Sequence, residues 1–254
     1  MKKFYYQIST EYRGQNYFGW QIQPRGKTIQ GEINHALEKL CKSDDLKTLG
    51  ASRTDSGVHA KAQVFKADLP LELPLKGLVD GLNSLLPEDI KILGAKASTA
   101  HFHPLRDSKW KRYNYLFTDK VSPFSRDLIV QAPALLDIEL MREGAKLFLG
   151  THDFANFRCM GTDVPTTTRE ILEIELKELN SQGPWGEFPY YCLEIKGTGF
   201  LKQMVRLMMG SLWNLGRKKI TLDDLQAAID KKKVGKVGPV APPQGLYLTE
   251  IQFA

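Results

Sequence analysis

Apolar and polar residues alternate with a period of two in several segments of the chain, which is the pattern of half-buried β-strands. In the first part of the chain, this alternation predicts strands over residues 4–11 and 58–67. Between them, Thr28 precedes apolar residues at helical spacing and predicts a helix over residues 28–40. Shorter patterns predict the other elements of this part, which are a strand over 46–51, a helix over 74–86 and a strand over 89–97.

The second part of the chain has the same mixture of patterns. Strands are predicted over 113–117, 169–179, 190–197 and 246–253, and helices over 137–149, over 200–215 and from Thr221 onward. The helix over 200–215 is strongly apolar, and Gly216 after it is the residue type best suited to a helix C-terminus.

Because strands and helices mix without strict βαβ alternation, we predict an α+β fold with a largely antiparallel sheet flanked by helices. The order strand, helix, strand pair occurs in both halves of the chain. We therefore place two predicted domains at residues 1–105 and 106–254.

The composition is that of a globular protein with a modest positive charge. Of the 254 residues, 42% are hydrophobic and 25% are charged, which argues against a disordered or fibrous chain. Lys and Arg number 35 against 29 Asp and Glu, so the formal net charge is +6. Such an excess is compatible with a polyanionic binding partner, and it is equally compatible with a surface charge that only keeps the protein soluble.

Cysteine usage and hydropathy bear on the compartment. The three cysteines include no C-x-x-C pair, which excludes a disulfide scaffold and a structural zinc site and fits a reducing cytosol. No apolar run approaches the roughly 18 residues needed to span a bilayer, and the N-terminal segment lacks the apolar core of a secretory signal. We therefore expect a cytoplasmic protein without a membrane segment or a metal.

The polar segment 52–57 (SRTDSG) connects two predicted strands and contains the sharpest candidate for chemistry. Asp55 is flanked by small residues and lies at a loop tip, where a substrate can reach it. An Asp in such a loop often only binds the backbone of its own turn. The loop alone therefore leaves both a structural and a catalytic role open.

Residues 52–60 (SRTDSGVHA) closely resemble the signature G-R-T-D-x-G-V-H-A of the TruA family of tRNA pseudouridine synthases. Other segments resemble further motifs of that family in the same order along the chain: 12–21 (YRGQNYFGWQ), 28–32 (TIQGE), 82–90 (LNSLLPEDI), 102–103 (FH), 111–115 (KRYNY), 153–157 (DFANF), 204–206 (MVR) and 245–248 (GLYL). Each match is weak alone, but the ordered set from residue 12 to residue 248 is specific.

The resemblance implies the pseudouridine synthase fold, with two similar α+β halves and an active-site cleft between them. It implies an isomerase that breaks the N1–C1′ bond of a uridine, turns the uracil and rejoins it through C5. No atom is gained or lost and no redox change occurs, so no cofactor is expected. By resemblance, the substrates are uridines at positions 38, 39 and 40 in the anticodon stem-loop of tRNA, bound across both subunits of a homodimer.

The resemblance also assigns roles to five residues. Asp55 is the catalytic nucleophile, and Arg206, on an otherwise apolar helix, is its salt-bridge partner. The alternative for Arg206 is a side chain that reaches solvent from the edge of the helix. Tyr113 is the active-site tyrosine, whose ring can stack on the flipped uracil and whose hydroxyl could relay the C5 proton. Arg53 is expected to contact a phosphate or the flipped nucleotide, and Leu246 to pack beside the base.

Three positions depart from the family pattern. Ser52 stands where the signature has Gly, Ser56 where Ala is usual, and Arg13 where the first motif has Asp. A serine at position 52 would be strained if the loop required a positive φ there.

Basic residues flank the motifs and predict a phosphate-binding surface with a steep salt dependence, although each cluster alone is also typical of a solvated face. The clusters are Arg13, Arg25 and Lys27; Lys109, Lys111 and Arg112; Arg217, Lys218 and Lys219; and Lys231, Lys232, Lys233 and Lys236.

Two rival functions stay open at this point. One is a nucleoside-directed hydrolase that uses Asp55 with Arg206 and releases free uracil. The other is a non-catalytic module that binds RNA or assists tRNA folding.

Overall fold

The computed structural model describes residues 2–159, 161, 164–181, 188–231 and 235–253. The strands are, in chain order, β1 (Phe4–Tyr12), β2 (Lys47–Gly50), β3 (His59–Leu69), β4 (Ile90–Ala97), β5 (Ser108–Thr118), β6 (Val130–Gln131), β7 (Gly150–Asp153), β8 (Thr168–Ser181), β9 (Phe188–Gly197) and β10 (Leu246–Phe253). The helices are α1 (Ile29–Cys41), α2 (Leu75–Leu85), α3 (Ile138–Lys146), α4 (Met204–Gly216) and α5 (Leu222–Ile229). The predicted α+β fold, largely antiparallel and flanked by helices, is confirmed.

The chain forms two compact units, one of Met1–Lys109 with Tyr247–Ala254 and one of Trp110–Leu246. The predicted domains, 1–105 and 106–254, had assigned the last strand to the second half. It belongs to the first unit because Tyr247 and Leu248 pair in parallel with His59 and Ala60 of β3. Within the described residues, none of the helices combines the length and apolar character that a membrane crossing requires.

The first unit is built on β1, which is antiparallel to β3 on one side and to β4 on the other. Alternate residues of β1, including Ile8, are buried, as the period of two predicted. Helix α1 begins after Thr28, whose side chain accepts a hydrogen bond from the backbone N–H of Gly31 at 3.2 Å. Its buried residues Ile33 and Leu37 recur at helical spacing, and α1 packs against α2. The unit therefore follows closely from its sequence pattern.

The second unit is built on β9, which is antiparallel to β5 and to β8. Strand β7 continues this sheet beyond β8, and the short β6 is parallel to β5. Helix α4 is buried along nearly its whole length and packs against α3 and α5. A helix that is apolar on all sides is expected to lie in the core.

Two details of α4 differ from the prediction. The helix begins at Met204 rather than at residue 200, after Gln203 in a left-handed conformation (φ 63°). It ends at Gly216 as predicted, but the left-handed residue is Lys218 (φ 57°). A Cβ atom on Gly216 would lie 2.7 Å from the Sδ atom of Met141, so this glycine permits close packing of α3 on α4.

Candidate active site

Asp55 lies in the loop between β2 and β3, and residues on both sides of it are bound to the segment 12–20. The buried Thr54 forms a hydrogen bond of 2.8 Å with the hydroxyl of Tyr12, and its carbonyl accepts the backbone N–H of Trp20 at 3.1 Å. On the other side, the Ser56 hydroxyl and the Gly57 N–H both donate to the carbonyl of Tyr17, each at 3.2 Å. The loop is thus held on either side of the carboxylate.

Glycines in the segment 12–20 allow this close contact. Gly19 has a φ of +88°, and a Cβ atom on it would lie 2.5 Å from the carbonyl oxygen of Thr54. A Cβ atom on Gly14 would lie 1.9 Å from the carbonyl oxygen of Val58. Both separations are far below van der Waals contact, so at these two glycines the backbones of the two segments lie directly against each other.

Gln63, which was not among the predicted site residues, fixes the base of the loop. Its fully buried side chain accepts the N–H of Ser52 at 3.2 Å and donates to the carbonyl of Ser52 at 2.8 Å. Ser52 does not have a positive φ, so serine at this position is not strained. A glutamine among the apolar residues Val64 and Phe65 was the available signal, because a buried amide normally serves a specific hydrogen-bond partner.

His59, the first residue of β3, supports the segment 12–20 that holds the loop. Its side chain is buried, and Nδ1 accepts the backbone N–H of Gly14 at 3.1 Å. The ring also stacks on Tyr247, with centroids 4.7 Å apart. Because Nδ1 accepts a hydrogen bond, it carries no proton in this arrangement.

Asp55 itself is half-buried, whereas Arg53 is exposed. The carbonyl of Asp55 accepts the N–H of Val58 at 3.1 Å, which closes the turn. The loop therefore combines a fixed backbone with an aspartate that keeps part of its surface accessible, and it places Arg53 where a large ligand can reach it.

In the second unit, Tyr113 lies on β5 with Tyr115 and Phe117 on the same buried face. Its ring packs edge-to-face on Phe200, with centroids 5.0 Å apart. Tyr113 keeps only 6% of its surface exposed, and burial also raises the pKa of Tyr115 above its usual value. The Tyr115 hydroxyl donates to the carbonyl of Pro242 at 2.8 Å.

Arg206 lies in the first turn of α4 and is held by the segment that precedes β10. Its Nε–H donates to the carbonyl of Ala241 at 2.7 Å, and the Ala241 N–H donates to the carbonyl of Arg206 at 3.1 Å. The segment crosses the helix at Gly210, where a Cβ atom would lie 1.8 Å from the carbonyl oxygen of Pro239. Further along, the Asn214 side chain donates to the carbonyl of Val237 at 2.9 Å. These contacts fix the orientation of the guanidinium.

The predicted site residues are thus distributed over the two units. Asp55 and Arg53 belong to the first, and Tyr113, Arg206 and Leu246 to the second. Leu246 is buried at the start of β10. The ion pair of Asp55 with Arg206, the contact of Leu246 with the base and the cleft between the halves stay predictions.

The predicted basic clusters are partly neutralised. Lys218 lies 3.3 Å from an oxygen of Asp137, and Lys231 forms an ion pair with Asp153. Lys232 and Lys233 lie outside the described residues. The described part of the chain contains no group of three His, Cys, Asp or Glu side chains that could hold a metal ion, and the expectation of a cofactor-free reaction stays a prediction.

The sequence is similar to those of known proteins. Residues 8–104 and 145–254 match the sequence model of the family described as tRNA pseudouridine synthase. The chain is 38% identical over 248 residues to the tRNA pseudouridine synthase A of Bacillus pumilus (strain SAFR-032), an alignment that covers 96% of this chain and 97% of the relative. The protein of the same name from Geobacter sulfurreducens is 36% identical, with 96% and 97% covered. That from Myxococcus xanthus is 37% identical, with 97% and 91% covered.

Proposed function

Because the chain belongs to the tRNA pseudouridine synthase family and is therefore an isomerase that acts on tRNA, we propose that it converts uridines at positions 38, 39 and 40 of the anticodon stem-loop to pseudouridine, with Asp55 as the catalytic nucleophile. The observation that carries the assignment of Asp55 is the fixed loop. Thr54 and Ser56, the neighbours of Asp55, are hydrogen-bonded to the segment 12–20, while Asp55 itself stays partly accessible. A nucleophile that the fold already holds in one geometry avoids the entropic cost of being oriented during the reaction.

Arg206 and Tyr113 are the proposed partners of this carboxylate and of the substrate base. A guanidinium within about 4–6 Å lowers the pKa of a carboxyl group and keeps it ionised in a pocket with little water. The fixed orientation of Arg206 on α4 supports this role. The ring of Tyr113 is proposed to stack on the flipped uracil, and its hydroxyl to relay the C5 proton.

Two further residues, Arg53 and Leu246, are proposed to contact the RNA around the reacting base. Arg53 is exposed and suits a contact with a phosphate or with the sugar of the flipped nucleotide. Leu246 is proposed to pack beside the base. Extruding the target uridine costs a few kcal/mol, which phosphate contacts must offset.

We also propose that the protein is a cytoplasmic homodimer that binds tRNA across both subunits and needs neither metal nor cofactor. The isomerisation returns every atom to the product, so the reaction itself calls for no electron carrier.

Mapping pseudouridine in an unmodified tRNA transcript tests the proposal. The wild type is expected to modify positions 38–40, and Asp55→Asn to lose at least about 10³-fold in rate while it still binds the tRNA. Asp44→Asn changes the same functional group at an exposed position and is expected to behave like the wild type.

Other outcomes would separate the rivals. Turnover retained by Asp55→Asn would refute the role of this residue. Release of free uracil by the wild type would favour the hydrolase, and binding without turnover would favour the RNA-binding module.

A further inference from the structure

Two cationic side chains of the second unit, Lys111 on β5 and Arg169 on β8, interact with each other and have no acidic partner among the residues that the structure describes. Lys111 has only 5% of its surface exposed. Burial, together with the positive charge of Arg169, lowers the pKa of Lys111 to about 8. Burial also lowers the pKa of Arg169. Each side chain is therefore in an environment that disfavours its own charge.

The sheet brings these two side chains to one place. Lys111 is opposite Gly197 in the β5–β9 ladder, and Gly197 is opposite Ile171 in the β8–β9 ladder. Arg169 precedes Ile171 by two residues and so projects from the same face of β8. A Cβ atom on Gly199 would lie 3.4 Å from both Cδ and Nε of Arg169. The two cations thus lie on the same face of the sheet, on either side of the glycine-containing end of β9.

The hydrogen bonds of this cluster do not neutralise it. The guanidinium of Arg169 donates from Nη1 to the carbonyls of Thr166 and Thr168, at 3.0 and 2.6 Å. These acceptors are neutral, so they orient the side chain and leave its charge uncompensated. Neither Lys111 nor Arg169 forms an ion pair with a carboxylate in the part of the chain that the structure describes. A buried ammonium such as that of Lys111, with a second cation beside it, is costly unless an anion joins the two.

The neighbouring side chains connect the cluster to the proposed active site. Lys111 and Tyr113 are two residues apart on β5 and share its buried face, so their Cα atoms are about 7 Å apart. Phe200 packs on Tyr113 and also covers Gly197, where a Cβ atom would lie 3.2 Å from the tip of its ring. An anion at the two cations would therefore lie beside a ligand that contacts Tyr113.

We propose that Lys111 and Arg169 form a binding site for one phosphate group of the RNA backbone, next to the nucleotide that Tyr113 contacts. This proposal rests on the proposed function, since that function makes the ligand an RNA. A phosphodiester carries one negative charge and two accessible oxygens, so it can accept hydrogen bonds from an ammonium and a guanidinium together. Each subunit of a homodimer would carry one such site.

The test combines protein variants with neutralised RNA linkages. A labelled anticodon stem-loop RNA is prepared as a series, each member carrying one methylphosphonate linkage in place of a phosphodiester near the target uridine. For the wild type, fluorescence anisotropy is expected to show one linkage whose neutralisation weakens binding about tenfold. Lys111→Met is expected to bind the unaltered RNA about tenfold more weakly, and neutralising that same linkage should weaken its binding no further.

Lys196→Met is the matched control, because it removes the same charge from the opposite face of the same sheet. Lys196 is opposite Arg112 in the β5–β9 ladder and its ammonium lies 2.8 Å from Glu173. This variant is expected to keep the full response to the neutral linkage. Arg169→Gln is a second test variant that should lose the response at the same linkage, and circular dichroism establishes that each variant is folded.

The outcomes separate this proposal from the proposed function. If Lys111→Met and each neutral linkage weaken binding independently, or if both test variants bind as tightly as the wild type, the phosphate site is refuted while pseudouridine formation by the wild type stands. If the wild type neither binds nor modifies the RNA, both proposals fall.

Discussion

Replacing Lys111 by methionine is expected to stabilise the folded protein at neutral pH, although it weakens RNA binding. The fold lowers the pKa of Lys111 from its usual 10.5 to about 8, chiefly through burial. At about 1.4 kcal/mol per pKa unit, this difference disfavours the charged side chain in the fold by about 3 kcal/mol. Methionine has a similar length and no charge, so it keeps the packing and removes this penalty.

The difference in stability between Lys111→Met and the wild type depends on pH. Below pH 8 both the folded and the unfolded chain carry the Lys111 proton, and the wild type has the full penalty. Between about pH 8 and pH 10.5 the unfolded chain binds more protons than the folded one, so the stability of the wild type rises with pH. The advantage of Lys111→Met should therefore be largest near neutral pH and should shrink as pH approaches 10.5.

Urea unfolding followed by circular dichroism at about pH 7 and about pH 10 measures this difference. We expect the free energy of unfolding of Lys111→Met to exceed that of the wild type by up to about 3 kcal/mol at the lower pH and by much less at the higher one. Lys196→Met, which loses an ion pair with Glu173, should show no gain at either pH. A Lys111→Met protein that is less stable than the wild type at neutral pH would refute the reasoning.

Further predictions concern the loop of Asp55 and the RNA surface. Gly19→Ala should lower kcat by about 10²-fold, because its Cβ atom would displace the Thr54 carbonyl 2.5 Å away; Gly150→Ala has a similar φ (+93°) with nothing nearer than 3.8 Å, so an equal loss of activity in this control would contradict the explanation. Gln63→Leu should reduce the free energy of unfolding by about 1–3 kcal/mol, because it leaves the backbone of Ser52 without its buried partner; an unchanged urea midpoint would contradict this. Binding of tRNA should weaken steeply with salt, and a flat response would count against a phosphate-binding surface.

The elements with long periodic patterns could be predicted from the sequence, as could the short strand β2, whereas the short strands β6 and β7 could not. The alternation over residues 4–11 and the helical spacing after Thr28 correspond to β1 and α1. Strands β6 and β7 have two and four residues, too few for a period of two to stand out. The start of α4 was predicted four residues early because apolar residues continue through the turn before it, where Gln203 breaks the helix by its backbone conformation.

The resemblance pointed to Asp55, but no local pattern could predict what holds its loop. Tyr12 and Thr54 are separated by 42 residues, and the donor and acceptor of the Arg206–Ala241 hydrogen bond by 35. Such contacts depend on how distant segments pack, whereas periodicity and turn signals describe neighbours along the chain. Gly19 illustrates the limit, since a glycine there indicates a turn and does not indicate which carbonyl lies against it.

A cluster of basic residues in a sequence likewise does not show which of its members can bind an anion, and the segment Lys111-Arg112 is an example. The two residues contribute equally to the net charge, yet successive side chains of a strand project to opposite faces. Arg112 lies 3.2 Å from Glu173 and is largely neutralised, whereas Lys111 is buried beside Arg169. An anion gains most where the protein has already removed water and supplied no counter-charge, because the interaction is weakly screened there. A phosphate contact is therefore expected at Lys111, the least exposed residue of its cluster, which a count of basic residues along the chain does not distinguish from its neighbours.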